Sequence, residues 1–526
     1  MATVGERLIE GLADRGVDVV FGIPGVHTVE LYRGLASGRV RHVTSRHEQG
    51  AAFMADGYAR TAGKPGVALV ITGPGVTNAL TAMAQARADS IPMLVISGVN
   101  RRASLGLGLG LLHELPDQAA LVGALCPTET ILDPMDLGPA LDRAFARMST
   151  GRPGPVHLQI PTDVMGMDCP ALAAPGTKPQ TEVADVFVAL QRMNAAKSPV
   201  ILAGGGGRYA PSLPRLARLW DAPVIQTVNA RGCMYGDPLS VPASPSLDAT
   251  RALIAASDCI LAVGTELGPT DYDMYVRGGV PDLSQMIRID ICPDQLARHP
   301  AGLALLGDAE AYCAALADGL TRRSGNGNTR ADATRQAARA ELSGLSAAMP
   351  RQLACIEAMR DACQNAIFVG DSTQPVYAGN LWYDHDRPGG WFNAATGFGA
   401  LGFGPGAAVG AAIAAPGTRV ICLIGDGGLQ FSPGELRTAV DEALPILFVV
   451  WNNSGFGEIA EAMAAAGTEV IGCRPSPLRM ADFAAACDLP FLSVIDDPDA
   501  IGTAMRQMTG PDQMAGPAMI EIRVST

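Results

Sequence analysis

The chain has 526 residues, 48% apolar and 17% charged, with a net charge of −13. At about 100–200 residues per domain the length predicts three domains, each able to bury a sizeable core. The acid excess argues against nucleic acid or anionic membrane as main partner, and no run of about 18 or more apolar residues offers a membrane span.

Residues 1–16 (MATVGERLIEGLADRG) read as an amphipathic helix, without the basic start and apolar stretch of a leader. Eleven cysteines are scattered singly between Cys126 and Cys487 with no C-x-x-C pair. That fits reduced thiols, and the expected location is the cytoplasm. Short apolar runs at 67–72, 92–97, 199–203, 259–263, 420–424 and 446–451 alternate with alanine-rich helical stretches. This rhythm predicts parallel strands covered by helices on both faces. Two stretches break it: 169–181 (CPALAAPGTKPQT) and 322–335 (RRSGNGNTRADATR), both expected to be linkers. The first and last pieces look alike in plan. Each has a strand ending in a glycine turn, Gly73-Pro74-Gly75 or Gly425-Asp426-Gly427, followed by a helical stretch and a proline-led strand at Pro92 or Pro445.

The strongest chemical signal is Gly425-Asp426-Gly427 followed by Asn452-Asn453. Either alone would be an ordinary polar turn. Together they place a carboxylate and an amide at the carboxyl ends of successive parallel strands, where ligands bind. A carboxylate, an amide oxygen and a loop carbonyl form a partial hard shell for Mg²⁺ or Ca²⁺, completed by phosphate oxygens. The glycines admit backbone N–H groups to the phosphates, and a helix start behind the turn favours anions.

With these motifs the chain resembles the thiamine-diphosphate enzymes of the acetolactate synthase, benzoylformate decarboxylase and pyruvate oxidase group. The resemblance runs through GIPGVHTVELY (22–32), RHEQGAAFMADGYAR (46–60), TGPGVTNAL (72–80), GRPGPVHLQIPTDV (151–164) and GALGFGPGAAVGAAIA (399–414). It implies an α/β protein of three doubly wound parallel-sheet domains: pyrimidine-binding (1–168), central (182–325) and diphosphate-binding (345–526). It implies that Asp426, the Asn453 side chain and the Gly455 carbonyl hold Mg²⁺. Gly425, Gly427, Gly428, Phe456 and Gln374 are expected against the diphosphate side of the cofactor, and Leu401 beneath its two rings. Glu48 is expected at N1′ of the aminopyrimidine. A carboxyl group there, in an apolar site that raises its pKa, keeps N1′ protonated, so that the ring's own imino group can take the proton of the thiazolium C2. From its residues alone Glu48 would read as a helix-start glutamate. In this family the two cofactor domains of one site come from different subunits, which implies a homodimer or homotetramer.

The reaction implied is decarboxylation of a 2-oxo acid, with carboligation of the acetolactate synthase type as the alternative. Synthases carry a methionine and then a tryptophan after the NN segment. This chain reads NNSGFGEIAEAM, with Glu458 and Ala462 at those places. A decarboxylase must return a proton to the carbon that lost CO₂, and His27 and His113 fall in loops the family places around the active site. Glu114, Glu458 and Glu461 could pair with a cationic substrate tail. The strings around His27, LLHELPDQ (111–118) and AVGTELGPTDYD (262–273) are similar to 2-ketoarginine (5-guanidino-2-oxopentanoate) decarboxylases. The glycine run 204–207 reads as a tight turn, so FAD is not expected. A flavin-containing oxidase and a non-catalytic cofactor-binding relative are the remaining alternatives. The second sits poorly with an intact Glu48, Asp426 and Asn453.

Overall fold

In the computed structural model, which describes residues 2–176, 183–274, 278–510 and 516–524, the apolar runs become strands buried on both faces, as continuous hydrophobic segments require in parallel sheets. The N-terminal sheet contains β1 (Val19–Gly22), β2 (Arg41–Thr44), β3 (Gly66–Val70), β4 (Met93–Val99), β5 (Thr128–Thr130) and β6 (Pro155–Pro161). The central sheet contains β7 (Pro199–Ala203), β8 (Val224–Gln226), β9 (Ser240–Val241), β10 (Cys259–Val263), β11 (Ile287–Asp290) and β12 (Leu303–Leu306). The C-terminal sheet contains β13 (Ile367–Gly370), β14 (Trp391–Asn393), β15 (Val420–Gly425), β16 (Ile446–Asn452), β17 (Phe491–Ile495) and β18 (Ala518–Arg523). Their orders are β2-β1-β3-β4-β6-β5, β12-β11-β10-β7-β8-β9 and β14-β13-β15-β16-β18-β17. The first and third orders are the same once each sheet is counted from its own first strand. All three sheets are parallel with helical crossovers, the expected doubly wound architecture.

The residues 1–16 helix forms over Val4–Asp14, closed at its start by a capping box of Thr3 and Glu6. The expected linker at 322–335 is corrected. A helix runs over Gly327–Leu345 and buries Ala331, Thr334, Ala338 and Leu342. That stripe is narrow and made mostly of small residues, so the polar majority hid its period. In 169–181 the described part, up to residue 176, is without helix or strand beyond a bridge at its edge, and 177–181 lie outside the described residues. No helix among the described residues is long and apolar enough to cross a membrane.

What positions the site is a crossing of two equivalent helices, Glu48–Ala62 after β2 and Phe403–Ala414 after β14. Their backbones touch. A Cβ on Gly57 would lie 2.0 Å from the Ala407 carbonyl oxygen, and one on Gly410 would lie 1.9 Å from that of Met54. Phe53 and Phe403 meet edge to face at 5.3 Å. Arg60, at the end of the first helix, is buried and pairs with Asp56 at 2.5 Å and Asp89 at 2.8 Å, and its guanidinium lies 5.5 Å from the rings of both Phe392 and Phe403. Asp89 also accepts from the Thr396 hydroxyl at 3.0 Å. A single buried ionic knot thus ties the N-terminal domain to the loop leading into the second helix.

Candidate active site

β15 and β16 run in parallel register with Gly425 opposite Trp451. Asp426 and Asn453 therefore leave the sheet side by side. Asp426 opens a single helical turn (Asp426–Leu429) and is 6% exposed. The Asn453 amide nitrogen donates to Gln374 Oε1 at 3.1 Å. Its oxygen is thereby set 3.2 Å from an Asp426 carboxylate oxygen and 2.7 Å from the Gly455 carbonyl oxygen. Turning the amide over would let its nitrogen donate to both, but would place its oxygen 3.1 Å from the Gln374 oxygen. The bond to Gln374 decides for the first orientation. Gln374 Nε2 in turn donates to Glu461 Oε1 at 3.3 Å.

The Asn453 oxygen, so placed, is repelled by both the Asp426 carboxylate and the Gly455 carbonyl oxygen. A hard cation among them removes the repulsion, and carboxylate, amide and carbonyl oxygens are ligands that suit Mg²⁺. Burial raises the Asp426 carboxyl above its ordinary range, so a negative charge there is short of solvent and open to a cation. Gly455, at φ +151°, has the Cys473 carbonyl oxygen 2.3 Å from where a Cβ would stand, so its own carbonyl is presented by a backbone no other residue could adopt. Phe456 packs across Gly427, and Gly428 lies against Asp371. The donor set fits the group the sequence implied.

Glu48 is the first residue of its helix and half-buried. Asn78 Nδ2 donates to its carboxylate at 3.0 Å. Gly75 stands against its side chain, and its charge helps burial to hold the Tyr32 hydroxyl protonated. Asn78, Gly75 and Tyr32 all belong to the N-terminal domain. His27 and His113 come together with ring centres 5.1 Å apart. His113, at φ 62°, hydrogen-bonds through Nδ1 to the Thr72 carbonyl oxygen at 3.1 Å, on the turn that carries Gly75. Burial, aided by His113, lowers the pKa of His27, whose Nδ1 is buried without a partner.

Glu114 turns back on its own loop, accepting from Leu109 N at 3.1 Å and Leu111 N at 2.9 Å, which holds its carboxyl below the ordinary range. Glu458 opens the helix Gly457–Ala465. Burial and the neighbouring Glu461 raise its carboxyl, and its charge adds to the burial that pushes Tyr377 up to about 12. Leu401 is half-buried just before Gly402, the left-handed cap of the Phe403–Ala414 helix. That helix start is held by Asp371, a fully buried carboxylate that accepts from Gly404 N and from Ser372 N, each at 2.9 Å. Burial pushes the Asp371 carboxyl up to about 6.

Asn78 and Asp371 have no place in the sequence reading. Asp371 had a usable signal, an acid closing a buried strand. Asn78 had none, because its partner is 30 residues away and the distance matches no helical spacing. The glycine run 204–207 is explained by backbone crossing: Gly206 N donates to the Gly264 carbonyl at 2.9 Å, and a Cβ on Gly204 would lie 2.3 Å from that oxygen. A cleft of about 520 Å³ opens beside it, between the N-terminal and central domains.

Three family models match the chain. The thiamine pyrophosphate enzyme N-terminal TPP binding domain covers residues 2–121, the central domain 187–316 and the C-terminal TPP binding domain 369–522. A protein of Pseudomonas aeruginosa PAO1 named "Probable 2-ketoarginine decarboxylase AruI" is 39% identical over 536 residues, spanning 99% of this chain and 94% of its own. The acetolactate synthase of Mycobacterium bovis is 32% identical, over 87% of this chain and 77% of its own. The acetolactate synthase isozyme 1 large subunit of Escherichia coli K12 is 29% identical, over 99% and 94%. Matched along its length by these models and relatives, the chain belongs to the thiamine pyrophosphate enzyme family.

Proposed function

We propose that this chain is a thiamine-diphosphate- and Mg²⁺-dependent 2-oxo acid decarboxylase whose substrate carries a cationic tail, with 2-ketoarginine as the candidate. The observation that carries the substrate reading is the placement of Glu458 and Glu461. Glu461 hydrogen-bonds Gln374, which holds Asn453 of the oxygen cluster, so both acids stand near the diphosphate end of the site. Their mutual repulsion is relieved by a guanidinium, which pairs with a carboxylate through two parallel hydrogen bonds. The name of the 39% identical relative points the same way.

When bound, thiamine diphosphate supplies a nucleophilic carbon and a sink for the electrons that CO₂ leaves behind. The chain's residues orient it and manage protons. Asp426, Asn453 and the Gly455 carbonyl would hold Mg²⁺, and Gly425, Gly427, Gly428, Phe456 and Gln374 would line the diphosphate end. Leu401 would support the cofactor's rings. Glu48, steadied by Asn78, would hold the proton at N1′. His27 and His113, whose ring centres stand 5.1 Å apart, are the groups that would return a proton to the product carbon. The reaction is redox-neutral.

Asn78, Gly75 and Tyr32, which stand against Glu48, belong to the N-terminal domain, and the segments beside both half-sites expose apolar groups. Val26 is 72% exposed, Leu112 62% and Ile459 52%, and the helix Gly457–Ala465 buries no residue. A second copy that completes each site would cover them, so a homodimer, or a homotetramer built from it, is the proposed working unit. The test is a panel of 2-oxo acids with thiamine diphosphate and Mg²⁺, tracking CO₂ and organic product separately. Aldehyde from 2-ketoarginine supports the reading. Acetolactate from pyruvate as dominant product overturns it in favour of carboligation.

A further inference from the structure

The helix that presents Glu48 begins against the C-terminal domain of the same chain. Its cap residue is His47, whose ring Nδ1 accepts from Gln49 N at 3.2 Å. The backbone N–H groups of Arg46 and His47, just ahead of the first turn, both donate to the Glu435 carboxylate. Arg46 N lies 3.1 and 3.2 Å from its two oxygens, and His47 N lies 3.1 Å from Oε1. The Thr438 hydroxyl donates to Oε2 at 2.9 Å. Glu435 is 1% exposed. Its carboxylate also fills the space a side chain at position 50 would need, since a Cβ on Gly50 would stand 2.1 Å from Oε1. Residues 46, 47 and 50 are thus all fixed by one carboxylate, and Glu48 lies between them. Asn78 steadies the Glu48 carboxylate, whereas Glu435 sets the backbone from which it projects.

We infer that Glu435 is a positioning residue for Glu48: a carboxylate of the C-terminal domain that fixes the first turn of the helix carrying the N1′ proton holder. The inference rests on the role proposed for Glu48. A displacement of about 1 Å at a reacting group can cost on the order of 100-fold, so the effect is large enough to measure.

The readout is deuterium exchange at C2 of thiamine diphosphate bound to the full chain with Mg²⁺, with melting of the same samples followed in parallel. Glu435→Ala and Gly50→Ala are each expected to slow exchange at least about 10-fold. Glu435→Gln, which keeps one acceptor oxygen for the two N–H groups, is expected to recover part of the loss. In the double variant Gly50→Ala/Glu435→Ala the new methyl no longer meets a carboxylate, so exchange should be no slower than in Glu435→Ala alone. Should Glu435→Ala not fold, Glu435→Gln and Gly50→Ala carry the test. Exchange within twofold of the parent in the Glu435 variants, with only the melting point lowered, would show the carboxylate to be structural and sink the inference. So would multiplying losses in the double variant. Glu48→Gln is measured alongside. Fast exchange there sinks the reading of Glu48 itself, while slow exchange there with parent-like exchange in Glu435→Ala sinks only this inference.

Discussion

Gly57→Ala tests the helix crossing that joins the two cofactor domains. On helix propensity alone the change should stabilise by about 1 kcal/mol. The crossing reverses the sign. The new Cβ would stand 2.0 Å from the Ala407 carbonyl oxygen, 2.6 Å from its carbon and 2.7 Å from its Cα. A carbon and a carbonyl oxygen rest comfortably at about 3.3 Å, so the helices must part by about 1.3 Å. The obstacle is helix backbone rather than a flexible side-chain tip, which puts the cost at the upper end of overpacking, about 3 kcal/mol. The net loss is then about 2 kcal/mol, or about 3 °C in the midpoint of the transition that includes both cofactor domains. Gly344→Ala is the control. It lies in the helix Gly327–Leu345, and a Cβ there meets nothing within 4 Å. That variant should melt level with the parent or up to a few degrees above it. Scanning calorimetry of the two proteins and the parent, at one scan rate, gives the comparison. A Gly57→Ala protein that melts at or above the parent would refute the crossing as drawn.

Three further outcomes are expected. Asp426→Asn should weaken Mg²⁺ binding in the presence of thiamine diphosphate by on the order of 100- to 1,000-fold, because a unit charge about 4 Å from a cation is worth up to about 4 kcal/mol near a protein surface; calorimetric titration with unchanged affinity contradicts this. His157 is fully buried, and burial pulls its pKa down to about 3. Its contribution to stability is complete above its ordinary value of about 6.5 and is lost as pH falls towards 3, at about 1.4 kcal/mol per pH unit. Between pH 6.5 and 5 the parent should lose about 2 kcal/mol more than His157→Gln, and equal acid slopes in reversible unfolding would count against it. Glu458→Gln should lower kcat/KM for a guanidinium-bearing 2-oxo acid about 10- to 100-fold, the worth of one charged hydrogen bond, while leaving a neutral 2-oxo acid of similar length within about threefold. Equal losses on both substrates would remove Glu458 from tail recognition.

Most of the fold was legible because buried parallel strands are written as unbroken apolar runs. The expected runs at 199–203 and 259–263 coincide with β7 and β10 residue for residue. The helix Gly327–Leu345 was not legible, because its buried stripe is made mostly of small residues within a polar stretch. At the site, Asp426 and Asn453 announced themselves because strand-end polar residues in a parallel sheet have one place to point. The orientation of Asn453 was not written locally, since it is set by Gln374, 79 residues earlier. Glu435 was hidden for a related reason. In GELRTAVDEA it reads as the first-turn acid of an ordinary helix, and the N–H groups it serves are 388 and 389 residues away.

The shared strand order of the first and third sheets, with a glycine turn after both β3 and β15, gives the chain two copies of one plan with unlike groups at matching addresses. The helix after the second strand begins with an acid in one copy, Glu48, and follows an apolar residue, Leu401, in the other. The turn after the third strand is apolar and neutral in one copy, Gly73-Pro74-Gly75, and carries the cation-seeking Asp426 in the other. A molecule with a basic ring at one end and a charged diphosphate at the other needs two unlike receptors, and a chain built on a doubled plan carries both, so that in the proposed dimer each copy supplies one receptor to each site.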